Sequence, residues 1–290
     1  MTNRITETLQ VPGAKITYDV RGPLPTTGRP PLLMIGQPMD ARGFTTLAAH
    51  FPERTVVTYD PRGLGRSTRN DGRTDNDPDV QAEDLHALIA ALDAGPVELF
   101  ASSGGAVTGL ALVAAHPEDV RTLVAHEPPL LSVLPDAEPA LAAEQAVQQT
   151  YRDKGPGAGW AHFMAMSMWR GELTDEYAAQ PPPDPGSFGL PADDDGSRDD
   201  PMLSGASNAV TRYAPDVDAL RTASTRIVIA AGIESADTIT GRASAAVAKA
   251  LGQPLTIFPS NHGGFLGGEY GQTGEPEAFA ARLHDVLDTR

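Results

Sequence analysis

Ser103 follows Val97-Glu98-Leu99-Phe100-Ala101-Ser102 and precedes Gly104-Gly105, and an apolar, helix-forming run continues from Ala106 to Ala115. A strand that becomes a helix within a residue or two forces strained backbone angles, and only small side chains fit where the two elements approach. The serine hydroxyl is thereby projected away from the backbone, and the first helical turn aims free amide groups at any oxyanion formed beside it. The pattern is a nucleophile elbow, G-x-S-x-G, with Ala101 in the first glycine position. A serine hydroxyl is a poor nucleophile at neutral pH unless a base accepts its proton, and that base needs a carboxylate to orient it. The elbow therefore requires a histidine and an acid from elsewhere in the chain.

Of the seven histidines, His262 lies in Pro259-Ser260-Asn261-His262-Gly263-Gly264-Phe265, a loop after an apolar run near the C-terminus. It is the candidate base. His116 precedes Pro117 at a helix end, and His50, His86, His162 and His284 fall in helical stretches, which reads them as surface or packing residues.

The elements that must position these groups follow from periodicity. Strands are predicted over Ala14–Val20, Pro31–Gly36, Arg54–Asp60, Arg121–His126, Arg226–Ala231 and Pro254–Phe258, and helices over Asp79–Asp93, Gly241–Leu251 and Pro276–Leu287. Such alternation predicts an α/β fold with a mostly parallel sheet flanked by helices, because parallel neighbours need crossover connections. Active groups then belong at the carboxyl ends of the strands. Between residues 128 and 216 the alternation breaks: Pro139–Tyr151 reads as helix, and Gln180–Asp200 is loaded with proline, glycine and aspartate. Residues 1–127 and 217–290 are expected to form the core, with 128–216 inserted as a cap carrying a mobile loop. There is no internal repeat.

The acid has three candidates. In many proteins of this architecture it is an aspartate three residues beyond the glycine closing the strand at Arg226–Ala231, but Gly232 is followed there by Ile233, Glu234 and Ser235. Glu234 and Asp237 are near that register without matching it. Glu127 ends the apolar run Leu123-Val124-Ala125-His126, and Pro128 stops the strand there, which puts its carboxylate on the same edge as Ser103 and His262. Glu127 is the leading candidate, Glu234 the second and Asp237 the third. For the oxyanion, one backbone donor follows the nucleophile and the other comes from the loop after Leu32-Leu33-Met34-Ile35, which selects Gly104 and Gln37.

Asp60-Pro61-Arg62-Gly63-Leu64-Gly65-Arg66-Ser67 resembles the start of a dinucleotide fingerprint, but Thr68 stands where the third glycine belongs, so nucleotide binding is rejected in favour of a bracing turn. Trp160, Met164, Met168 and Trp169 lie in a stretch holding both tryptophans and three of the seven methionines. Soft, large side chains suit an adaptable apolar substrate pocket, and they suit ordinary helix packing equally well.

A chain of 290 residues accommodates one α/β core with an insertion. The formal net charge of -16 argues against nucleic acid or an anionic membrane surface as a partner and favours a small, uncharged or weakly charged molecule. Self-association into a homo-oligomer stays open. Cysteine is absent, which excludes disulfides and thiolate metal sites. The segment Met1–Glu7 lacks the apolar core of a signal peptide and no run is long enough to span a bilayer, so a soluble cytoplasmic protein is expected.

The glycine-proline loop at Gly36–Pro38, the Asp-x-Arg-Gly-x-Gly-x-Ser turn at Asp60–Ser67, the serine elbow and the late histidine together resemble the α/β-hydrolase superfamily over nearly the whole chain. Within it, Ser102-Ser103-Gly104 with His126-Glu127-x-Pro129 resembles the lactonases that open the resorcylic macrolactone zearalenone. In that group the triad acid is a glutamate after the strand that follows the nucleophile helix, and the resemblance implies this role for Glu127. Related bacterial esterases carry the same motifs, and the cap is matched to neither group. The expected chemistry is cofactor- and metal-independent hydrolysis of an ester or lactone of an apolar small molecule. Two alternatives remain: carbon-carbon bond hydrolysis of a diketone on the same serine, and a ligand-binding protein that kept the fold, which Ser235 in the acid's usual place would favour.

Overall fold

The computed structural model describes residues 4–26 and 28–289. Met1 to Asn3, the start of the segment read above for a leader, lie outside the described residues. In chain order the strands are β1 (Arg4–Val11), β2 (Ala14–Arg21), β3 (Leu32–Gln37), β4 (Val56–Asp60), β5 (Thr68–Arg69), β6 (Val97–Ser103), β7 (Val120–His126), β8 (Arg226–Gly232) and β9 (Thr256–Phe258). The α-helices are α1 (Thr45–Ala49), α2 (Pro78–Leu92), α3 (Gly104–Ala115), α4 (Ala137–Lys154), α5 (Pro156–Met168), α6 (Asp175–Ala178), α7 (Asn208–Thr211), α8 (Val217–Thr222), α9 (Ile239–Leu251) and α10 (Pro276–Asp288).

The strands form one nine-stranded sheet in the order β1-β2-β4-β3-β6-β7-β8-β9, with β5 paired to β2. From β4 to β9 neighbouring strands run parallel, while β1 and β2 join antiparallel. The central strands read as unbroken apolar runs because both of their faces are covered. Side chains alternate across the pleat. Leu33, Ile35, Leu99 and Ala101 enter a core with α2, α3 and α9, whereas Leu32, Met34, Phe100 and Val124 enter a second core with α1 and α10.

Most predicted strands and helices coincide with observed ones to within two residues. The core elements not anticipated are β1, whose Arg4–Thr8 segment is exposed throughout so that no buried periodicity marked it, and the short α1, β5 and α8. The connection from β7 to β8 carries α4 to α8. Its first two helices turn at Gly155, whose φ of 85° suits glycine, and Pro156 opens α5. They cross closely, since a Cβ on Gly159 would lie 2.8 Å from that of Tyr151.

Candidate active site

Strand β6 delivers Ser103 to the carboxyl edge of the sheet, next to β3 on one side and β7 on the other. Its backbone sits at φ 58° and ψ -132°, a conformation that side-chain-bearing residues adopt only when the surroundings impose it. What imposes it is the close approach of β3. A Cβ on Gly105 would fall 2.7 Å from the Cα of Gly36, and one on Gly104 would fall 2.8 Å from the carbonyl oxygen of Gln37. The two glycines are thus required by backbone atoms that cannot move aside.

Glu127 continues β7 by one rung, its N–H donating to the Ala230 carbonyl at 2.9 Å, and then turns with φ 50° into Pro128. Its side chain is fully buried. One carboxylate oxygen accepts the Gly232 N–H at 2.9 Å; the other accepts the Thr240 hydroxyl at 2.6 Å and meets His262 Nδ1 at 2.7 Å. Because an ionised carboxylate only accepts, this contact assigns the ring proton to Nδ1 and leaves the Nε2 lone pair free. Burial by itself would raise the Glu127 carboxyl. The His262 hydrogen bond and charge, with the Thr240 hydroxyl, outweigh it and hold the group far below the usual carboxylate range.

Glu234 and Asp237 are not brought to the histidine. The Glu234 carboxylate accepts from the Asn261 side-chain amide at 3.2 Å, and both residues are exposed. Ser235, in the acid's usual register, is buried in the short turn after β8. Among the described residues, the hydrogen bonds of this corner join Ser102 to His126 and Glu127 to His262, and none involves Ser103 Oγ.

Backbone strain gathers here. The side-chain-bearing residues with positive φ among those described are Asp93, Ser103, Glu127, Ser260 and Tyr270. Ser260 lies two residues before His262, and Tyr270 donates its hydroxyl to Asp40 at 3.0 Å beside the Gly36–Pro38 loop. Four of the five thus belong to the site or its rim, the pattern expected where a fold maintains unfavourable angles for function.

Two polar groups stand out beyond those the sequence singled out. Gln37, chosen for its backbone, buries its side-chain amide with both polar atoms unpartnered among the described residues. His126 had appeared only as part of a motif. Its ring is fully buried among Phe100, Phe258 and Phe279, with Nδ1 3.1 Å from Ser102 Oγ and an unpartnered Nε2 3.8 Å from Glu127. Burial pushes its pKa down to about 4, so the ring is neutral at physiological pH. A polar residue closing an otherwise apolar strand was the signal available.

The turn at Asp60–Ser67 braces the loop that carries Gln37. Asp60 accepts the Ala41 N–H at 3.0 Å, the Ser67 hydroxyl bridges Asp60 O and Thr17 N, and Arg62 is held in a buried fork by Asp84 at 2.6 and 2.7 Å. Trp160, by contrast, faces a cavity of about 300 Å³ lined by Pro156, Leu190, Pro191 and Asp194, a lining that includes none of Ser103, Glu127 and His262. Its indole N–H donates to Asp200 at 3.0 Å, and that of Trp169 to the Glu172 carbonyl at 3.0 Å. Met164 is half-buried and Met168 is 64% exposed at the end of α5. Of the four, Trp160 is the one in this cavity's lining.

A family described by its alpha/beta hydrolase fold matches residues 30–168. Over 97% of this chain and 95% of its own length, the uncharacterized hydrolase YraK of Bacillus subtilis (strain 168) is 32% identical. The chain belongs to the α/β-hydrolase family. Among solved structures, this hydrolase superposes on an esterase from Exiguobacterium antarcticum with a TM-score of 0.68 at 20% identity, covering 98% of this chain and 100% of that one. It superposes on the enol-lactonase from Burkholderia xenovorans LB400 with a TM-score of 0.65 at 17% identity, covering 98% and 100%. At these identities the likeness is one of fold. No helix among its described residues is long and apolar enough to cross a membrane.

Proposed function

We propose that this α/β-hydrolase cleaves carboxylic esters or lactones of apolar small molecules through an acyl-enzyme on Ser103. The observation that carries the reading is the buried Glu127 carboxylate bonded to His262 Nδ1 at 2.7 Å on the edge where the strained Ser103 elbow emerges. His262 Nε2 takes the proton of Ser103 as its oxygen attacks the substrate carbonyl. The Gly104 and Gln37 N–H groups receive the oxyanion, and Glu127 orients the ring and stabilises it once charged. The imidazolium returns its proton to the departing alkoxide, and water activated by the same nitrogen then releases the acid.

A macrolactone of the zearalenone type is the substrate favoured by Ser102-Ser103-Gly104 together with His126-Glu127-x-Pro129. In this reading residues 128–216 form a cap that selects the alcohol or acyl portion and sheds bulk water. The feature that favoured a non-catalytic binding protein loses its weight, because a carboxylate from β7 reaches His262 where Ser235 cannot.

Treatment with a fluorophosphonate followed by mass spectrometry should add one label, located on Ser103. A panel of esters and lactones that includes zearalenone should then give turnover with a mass gain of one water per lactone. Ser103→Ala should abolish both. Turnover of an activated ester at the wild-type rate in Ser103→Ala would refute the proposal, and cleavage of a diketone with no ester turnover would move the activity to carbon-carbon bonds.

A further inference from the structure

The far end of the nucleophile helix carries a second cluster of chemically capable side chains. Helix α3 runs 12 residues from the elbow, about 18 Å, and ends at His116. There His116 meets His86 from α2 and Asp119 from the turn before β7, and one ligand-capable atom from each lies within 4.8 Å of the others. We propose that His86, His116 and Asp119 bind a divalent transition-metal ion of the zinc class, with Glu83 as the group that orients His116.

The arrangement of protons supports this assignment. The Glu83 carboxylate lies 2.9 Å from His116 Nε2, which places the ring proton on Nε2 and turns the Nδ1 lone pair loose as a ligand. A carboxylate behind a metal-bound imidazole is the usual means of fixing its tautomer and raising its basicity. His86 Nδ1 and Asp119 Oδ2 stand 2.6 Å apart across a shared proton. With its proton carried on Nε2 instead, a neutral His86 would offer Nδ1 to a metal ion, and the Asp119 carboxylate would offer Oδ2. Glu118, 3.8 Å from His116 Nδ1, offers a further carboxylate.

The two imidazoles are already in contact, with ring centroids 3.9 Å apart and planes 12° from parallel. Both side chains are partly exposed, so they can swing from this stack toward a common ion without unpacking the core. The last carbonyls of α3 add negative potential at this end. Two imidazoles with carboxylates suit zinc and its first-row neighbours, whereas magnesium and calcium prefer oxygen ligands alone. The cluster lies at the opposite end of α3 from Ser103, so the ion would act on stability and not on the reacting carbonyl.

Isothermal titration of the metal-free full-length chain with zinc chloride tests this. One equivalent should bind, magnesium chloride should give no heat, and zinc should raise the thermal midpoint. His86→Ala and His116→Ala should each weaken zinc about a hundredfold or more, and Glu83→Gln should weaken it about 10–100-fold as an outer-shell change. Asp119→Asn, close in shape to the native side chain, serves if either alanine variant unfolds. Absence of saturable binding, or zinc affinity that survives these substitutions, would overturn the site. So would zinc binding that is lost in His262→Ala, since the ion would then sit at the active site.

Discussion

Glu127 Oε2 and His262 Nδ1 lie 2.7 Å apart across 135 residues of sequence. The contact is made possible by two neighbouring elements: Gly232 at the end of β8 and Thr240 in α9 hold the carboxylate from behind, so that its remaining acceptor direction faces the histidine.

Glu127→Gln should therefore reduce kcat by about a thousandfold or more, since an amide can present its NH2 to Nδ1 and stabilise the wrong tautomer. Glu234→Gln should leave kcat within about twofold, because its carboxylate bonds Asn261 instead. Steady-state kinetics on both variants decides between the acids, and the reverse pattern would transfer the role to the loop after β8.

Gln37 presents a different relation between stability and function. A buried amide left without partners costs about 1–3 kcal/mol, and both polar atoms of this side chain are unpartnered among the described residues. Gln37→Met should leave the thermal midpoint of the free protein unchanged or raised while KM rises several-fold, if substrate supplies the missing partner. A lowered midpoint with unchanged KM would show the amide to be structural.

The histidine behind the acid makes a prediction about pH. Folded His126 accepts a proton only near pH 4, whereas the unfolded chain takes one up near 6.5. Between those values the unfolded state binds more protons, so this contribution to stability is complete above about 6.5 and is lost as pH falls toward 4, a swing of about 3 kcal/mol. Denaturant unfolding measured at intervals over that range should show a shallower pH slope in His126→Gln than in the wild type. Equal slopes would mean that His126 titrates alike in both states.

Gly105→Ala tests the cause of the elbow's geometry. The added methyl would meet Gly36 Cα at 2.7 Å and Gly36 N at 2.9 Å, so relief would require the strands to separate. A loss of about 1–3 kcal/mol in chemical denaturation is expected, with loss of activity even where the variant folds. Wild-type stability and turnover would show that β3 is free to give way.

The parallel core was legible because its central strands are continuous apolar runs and the flanking helices α2, α9 and α10 bury one face, a pattern that survives in one dimension. β1 was not, because it is anchored by backbone pairing with β2 and leaves most of its side chains in water. Ser103 and His262 stood out as candidates through the small residues around the first and the loop position of the second. Glu127 was reachable because Pro128 marks where its strand stops. The burial of His126 was hidden, since nothing local reveals that Phe258 and Phe279, more than a hundred residues away, close over its ring. Aromatic and methionine density identified a helix with large side chains but carries no information on which way they point, and Trp160 lines a cavity whose lining includes none of Ser103, Glu127 and His262.

Placing the carboxylate after β7 also divides the labour of the two loops that border the site. The chain leaves Glu127 directly through Pro128 and Pro129 toward α4, so any replacement of the segment that follows must keep this rigid exit for the Glu127 carboxylate to stay on His262. Past Gly232, in contrast, no hydrogen bond among the described residues joins Ile233 to Asp237 with the His262 side chain, and Ile233 is 65% exposed. Side chains of that short turn can therefore be exchanged without removing a hydrogen bond described for His262.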